Sequence, residues 1–252
     1  MKLASARIRA ALVYLGVTAL VTAVVFVSVF FLWYPGPFFA AAGGFDLLKI
    51  IVTVDVTLGP IVVLVIYKPG KWGLRFDLVT LAVLQTCALL YGVHVLFEAR
   101  PAYIAFVKDR FEIARANGFP AGELDKARDY ASLPITGPKW VGVRLPTRPD
   151  ESFKLLVSGL NGVDAQYYPV YYVPYDAVRG EVRAKAQAIE LLRKRNPTRV
   201  AEIDKAVAAT GKPEAAIGFI PLRSGKTDLS VIVDRASGDV LQVSPVKPWG
   251  PV

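Results

Sequence analysis

Ser224-Gly225-Lys226-Thr227 ends like a phosphate-binding loop, in which glycine amides cradle a phosphate and the lysine reaches its oxygens. The glycine required five residues before Gly225 is missing, because Gly218 stands seven before it. The stretch also joins two expected strands instead of opening a helix, so nucleotide binding is not expected. The chain has one histidine, His94, and one cysteine, Cys87. That is too few for a zinc site of several His and Cys ligands. A Ser–His or Cys–His nucleophile would have to be served by His94 itself. Carboxylates are plentiful, at 21 Asp and Glu, yet no two are set apart as the acid and base of a glycosidase. The expectation is a protein that is not an enzyme, with no metal and no cofactor.

A second kind of chemistry is more informative, that of a charge in an apolar run. Asp55 lies near the middle of a stretch running from about Leu47 to Tyr67. An ionisable group in hydrocarbon is costly and therefore asks for a role. Two readings stand side by side. Asp55 is satisfied by Gln85, Thr57 or a backbone carbonyl and glues helices together, or it faces a groove for a partner helix. Gly59-Pro60, one turn on, would kink the helix and free carbonyls. Asp55, Gly59 and Pro60 are thus candidate partner-binding residues. Nearer the outer face, Asp46 and Lys49 sit at the depth of His94 and Glu98, where a small ion cluster is expected.

These residues need elements to hold them. Of the 252 residues, 54% are hydrophobic and the mean hydropathy is +0.41, too apolar for an ordinary soluble chain. The excess sits in three runs, at about 10–33, 47–67 and 78–97. The first has 24 positions, about 36 Å as a helix, long enough to cross a bilayer. Its length and the Trp33-Tyr34-Pro35-Gly36-Pro37 break favour an uncleaved anchor over a signal peptide. Lys2, Arg7 and Arg9 precede it, and Lys68, Lys71 and Arg75 lie between the second and third runs, whereas 34–46 holds no Lys or Arg. Positive-inside topology then puts the N-terminus and 68–77 inside, and 34–46 with the C-terminal part outside, the periplasm of a bacterium.

The expected domains are therefore a three-helix transmembrane region, 1–97, and an exported α+β domain with antiparallel strands, 98–252. The exported part carries 23 Lys and Arg against 18 Asp and Glu. Its compartment and the lack of a helix-turn-helix or aromatic RNA platform argue against nucleic acid. Strands are expected at 103–107, 111–115, 140–145, 216–222, 229–233 and 240–243. Helices are expected at 121–133, 150–160, 176–195 and from 197 to near 211. The 167–175 stretch is crowded with tyrosines, and its prolines exclude a regular helix or a central strand. Tyr168, Tyr171, Tyr172 and Tyr175 are either contact area for a partner or packing against the sheet. The basic side of 176–195, with Arg179 and Arg183, is a solvated face, a rest on anionic lipid, or a partner site.

Several stretches taken in order resemble the TfpX/TfpZ family of type IV pilin accessory proteins. They are Trp33-Tyr34-Pro35-Gly36-Pro37, Val54-Asp55-Val56-Thr57-Leu58-Gly59-Pro60, Tyr67-Lys68-Pro69-Gly70-Lys71 and Leu74-Arg75-Phe76-Asp77. Arg100-Pro101, Asp109-Arg110-Phe111, Pro221-Leu222-Arg223 and Val233-Asp234 fit as well. The resemblance spans most of the chain, strongest in the membrane half. It implies a chaperone-like inner-membrane protein whose partners are a type IV pilin and the lipid bilayer, with no active site to carry over. A membrane-anchored envelope sensor is the alternative, weakened by the small cytoplasmic parts left for an output.

Overall fold

The computed structural model describes residues 2–250, without the side chains of residues 2, 3, 47, 51 and 54–56. The chain divides into two compact units, 1–32 with 44–98, and 33–43 with 99–252.

The first unit is helical. Helix α1 runs Lys2–Leu32, and a four-residue turn of helix, α2 (Phe38–Ala41), belongs to the other unit. Next come α3 (Gly44–Val52), a π-helical segment Thr53–Leu58, α4 (Gly59–Ile66) and α5 (Leu74–Glu98). Two helices, Ala4–Leu32 and Leu74–Glu98, are long and apolar enough to cross a membrane. The expected middle span, 47–67, is helical up to Ile66, in three pieces. Pro60 explains the break: it has no amide hydrogen and its ring presses on the carbonyl four residues back, so the regular ladder fails just upstream. Several hydroxyls in these apolar helices are met by their own backbone. Thr18 donates to the Tyr14 carbonyl at 3.0 Å, Ser28 to Val24 at 2.9 Å and Thr53 to Lys49 at 2.7 Å. Arg7 donates to the Tyr67 carbonyl at 2.8 Å, placing a cation at the end of α4 where the helix dipole favours it.

The second unit is built on one seven-stranded sheet in the order β4-β3-β1-β2-β5-β6-β7. The strands are β1 (Pro101–Val107), β2 (Arg110–Arg115), β3 (Lys139–Val143), β4 (Tyr172–Pro174), β5 (Ile217–Arg223), β6 (Leu229–Asp234) and β7 (Val240–Ser244). The sheet is mixed, which corrects the expectation of antiparallel strands: β3 pairs with β1, and β5 with β2, in parallel. Both arise because a long connection brings each later strand to the free edge of the β1–β2 hairpin instead of folding straight back. The residues are consistent with burial on both faces, as such pairing demands. Ile104 and Phe106 of β1 face one cluster with Phe111, Ile220 and Val231, while Tyr103 and Ala105 face another with Val141 and Tyr172.

The helices of this unit are α6 (Pro149–Leu160), α7 (Arg179–Lys185), α8 (Ile189–Arg195) and α9 (Val200–Ala209). The single helix expected over 176–195 is broken at 186–188, where Gln187 and Phe219 exchange backbone hydrogen bonds of 2.9 and 2.8 Å. Gly218 permits that approach, since a Cβ there would stand 2.8 Å from the Gln187 carbonyl oxygen. The helix expected over 121–133 is a series of turns. Its apolar residues, among them Tyr130 and Leu133, pack into the sheet cluster without a helical stripe.

The connection 34–46 differs most from a bare loop. Tyr34, Phe38, Phe39 and Ala41 are buried in the second unit, and Phe38 and Ala41 join the sheet core. Tyr34 meets Phe39 edge-on at 5.7 Å between ring centres, and burial pushes its phenol up to about 12. The Ser224 hydroxyl donates to the Ala41 carbonyl at 3.3 Å, tying this early segment to the β5–β6 turn.

Candidate functional site

In the helical unit Gly59 is buried where α4 meets its neighbours. A Cβ there would collide with the Gln85 amide and come within 2.9 Å of the Tyr14 ring. The Tyr14 hydroxyl in turn donates to Gln85. Gly59 therefore serves a close helix crossing, with Pro60 half-buried beside it. The side chain of Asp55 lies outside the described residues. An open groove of about 870 Å³ runs between α1, α4 and the start of α5, lined by Arg9, Val13, Tyr14, Val63 and Leu78 among others. A smaller cleft of about 160 Å³ between α1 and α5 carries Thr18, Thr22, Gln85 and Thr86. Asp46 and Lys49 pair at 3.7 Å on one exposed helix face. His94 is exposed on α5.

In the sheet unit the tyrosines are tied into the fold. Tyr172 is buried, donates to the Gln166 carbonyl and packs edge-on against Tyr103 and Tyr130. Tyr175 donates to the Gly238 carbonyl at 2.7 Å and stacks near Phe111. Burial raises both phenols. Tyr168 shares a 2.5 Å hydrogen bond with Ser158 of α6, and Tyr171 lies beside it, both half-buried. The arginines are engaged likewise. Arg179 binds Asp176 at 2.6 Å and also Asp239, while Arg183 donates to the Ala236 carbonyl at 2.9 Å. Both thereby clamp α7 to the β6–β7 turn. That turn is set by Asp234, whose carboxylate binds Lys212 and accepts from the amides of Ser237 and Ala236, lowering its pKa to about 2.

One constellation was not visible in the residue pattern. Glu112 of β2 and Asp164 share Arg223 of β5, at 2.9 and 2.8 Å. Arg110 also stands 4.0 Å from Glu112. Burial pushes the Glu112 carboxyl up to about 7, against the pull of Arg223 and Arg110. Two pockets open on either side of this network, of about 440 and 400 Å³. In the sequence Glu112 is simply the polar member of the Phe111-Glu112-Ile113 alternation, and its partners Asp164 and Arg223 lie far along the chain. Among the described residues, no three or more His, Cys, Asp or Glu are gathered to hold a metal ion.

Comparison with known proteins gives a consistent result. The family model for fimbrial assembly protein FimB matches residues 2–43. The fimbrial assembly protein of serogroup I of Dichelobacter nodosus is 25% identical over 212 residues, covering 82% of each chain. That of serogroup E1 is 24% identical over the same length and coverage. The fimbrial assembly protein of serogroups C1 and C2 is 30% identical over 101 residues, which is 39% of this chain and 77% of that relative. The chain belongs to the fimbrial assembly protein family. No solved structure is significantly similar to this family member. The matched stretch 2–43 covers α1 and the buried Tyr34–Ala41 segment, so it takes in parts of both units.

Proposed function

We propose that this chain is an inner-membrane accessory protein for a type IV pilin, of the TfpX/TfpZ kind, acting as a chaperone and not as a catalyst. The observation that carries this is its likeness to fimbrial assembly proteins along 82% of both chains. In this reading the chain crosses the membrane three times, through α1, the broken α3–α4 helix and α5. The N-terminus and 68–77 are cytoplasmic, and the sheet unit is periplasmic. Burial of Phe38 and Ala41 in the core of the sheet unit supports a common side for 33–43 and 99–252. Asp55, Gly59 and Pro60 shape a surface for the pilin's apolar helix, and the sheet unit holds its head. Two linked weak contacts give avidity without a site too tight to release.

The test has two parts. A reporter enzyme that works only outside the cytosol, fused after residue 250, is expected to be active, and an inactive reporter on a chain present at its normal level would refute the topology. Deleting the gene is expected to reduce surface pili, and full-length protein in mild detergent is expected to carry pilin with it. Normal piliation without the gene, together with no pilin captured, overturns the reading. Asp55→Leu is expected to weaken capture at an unchanged level of the accessory protein.

A further inference from the structure

Helix α6 turns apolar side chains to solvent. Phe153, Leu156, Val157 and Leu160 are 67, 61, 38 and 81% exposed. They fall at positions i, i+3, i+4 and i+7, a single stripe along the helix. None of the residues of α6 is fully buried. An amphipathic helix in a folded domain ordinarily spends such a stripe on the core, so this one is left for another occupant.

The stripe borders a groove. In the pocket of about 440 Å³, Leu156 and Leu160 share the lining with Lys108, Arg110 and Arg223. The neighbouring pocket of about 400 Å³ adds Arg115 and Lys226. Those five cations face three carboxylates, Asp109, Glu112 and Asp164. Arg223 is already shared by Glu112 and Asp164, and Arg110 binds Asp109 at 3.1 Å. Because burial raises Glu112 to about 7, the lining is more cationic at neutral pH than the formal count implies.

The hairpin tip adds a second, independent observation. Lys108 has φ 58°, the one positive value at a residue other than glycine among the described residues. Glycine would hold that backbone without strain, whereas a side chain there is strained. The fold thus keeps a lysine, at a cost, on the lining of the groove.

We infer that this groove docks a segment of the pilin, its apolar residues on Leu156 and Leu160 and its carboxylates against Lys108 and Arg110. The inference rests on the proposed function and adds the surface and the chemistry of the contact. A second copy of the chain is a poorer occupant. Four side chains fall well short of the roughly 20–30 residues a side of a stable dimer, whereas the pilin contact is one of two linked weak ones. A two-fold pair would also bring cationic linings together. A bilayer surface does not fill a concave groove, while a peptide segment does.

Photo-crosslinking in intact cells tests this with the full chain. Benzoylphenylalanine placed at Phe153 is expected to form an adduct with pilin, and the same group at Lys194, exposed on α8, is expected to form none. Leu156→Ser with Leu160→Ser, both on the solvent side, should lower the Phe153 adduct at least tenfold at unchanged protein level. Lys108→Glu with Arg110→Glu should lower it by a similar factor. An adduct with a second copy or with lipid alone, no adduct, or an adduct indifferent to both double variants would each overturn the inference. Capture of pilin by the full chain without an adduct from α6 sinks the groove and leaves the proposed function standing. Absence of capture together with normal piliation in the deletion strain removes both.

Discussion

Glu112 stands on β2 with its carboxyl nearly closed off from water, held by Arg223 from a strand 111 positions later in the chain. Its raised pKa, about 7 against an ordinary value of 4.5, has a definite sign for stability. Between those values the folded chain binds a proton that the unfolded chain has released, so stability falls as pH rises through that window. Thermal unfolding of the detergent-solubilised protein should therefore show a higher midpoint at pH 5.5 than at pH 7.5. Glu112→Gln should flatten that difference, by up to about 2 kcal/mol of pH-dependent stability. An unchanged slope in the variant would show that another group titrates. At this scale little was legible beforehand. The alternation Phe111-Glu112-Ile113 marks a half-buried strand, but a carboxyl's environment is set by whatever side chains tertiary folding brings, here Arg223 and Asp164. Asp55 was conspicuous for the opposite reason, since its surroundings are apolar in the sequence itself.

At the level of elements, strands were read more accurately than helices. The β5–β6–β7 meander was marked by short apolar runs between polar turns, and its strands lie within a residue or two of expectation. The basic helix over 176–195 looked continuous because nothing in its composition forbids helix at Ala186-Gln187-Ala188. The break comes from competition: Gln187 gains two hydrogen bonds to Phe219, which a helical residue at that place would forgo. Gly218→Ala tests this, because the added Cβ would press on the Gln187 carbonyl and lie 3.0 Å from the Ala186 Cβ. The expected cost is about 1–3 kcal/mol, with faster hydrogen exchange at the Gln187 and Phe219 amides specifically. Exchange unchanged at both would show that the bridge does not depend on that gap. Parallel pairing of β1 with β3 was illegible for a related reason. Periodicity reports that a strand is buried, not which edge it joins.

At the scale of the molecule, the division of the chain is not where hydropathy places it. Charge and apolar runs locate the helices, yet 34–46 carries no sign that Phe38 and Ala41 join the core of a sheet built much later in the chain. Aromatic residues beside an apolar run read equally well as interface anchors, and only the fold separates the two. Phe38→Ala should therefore destabilise the sheet unit by about 3–5 kcal/mol, seen as proteolysis within 99–250 of the full chain. Cleavage limited to 33–43 would contradict it. The same arrangement bears on biogenesis. The ribosome makes Phe38 and Ala41 well before Ser224 and the β5 and β6 residues they pack with, so they must pass an interval without these partners while the rest of the polypeptide is still being made. That core closes only once β5 and β6 have been made. A chain cut short anywhere before β5 would leave greasy residues uncovered for quality-control proteases to find.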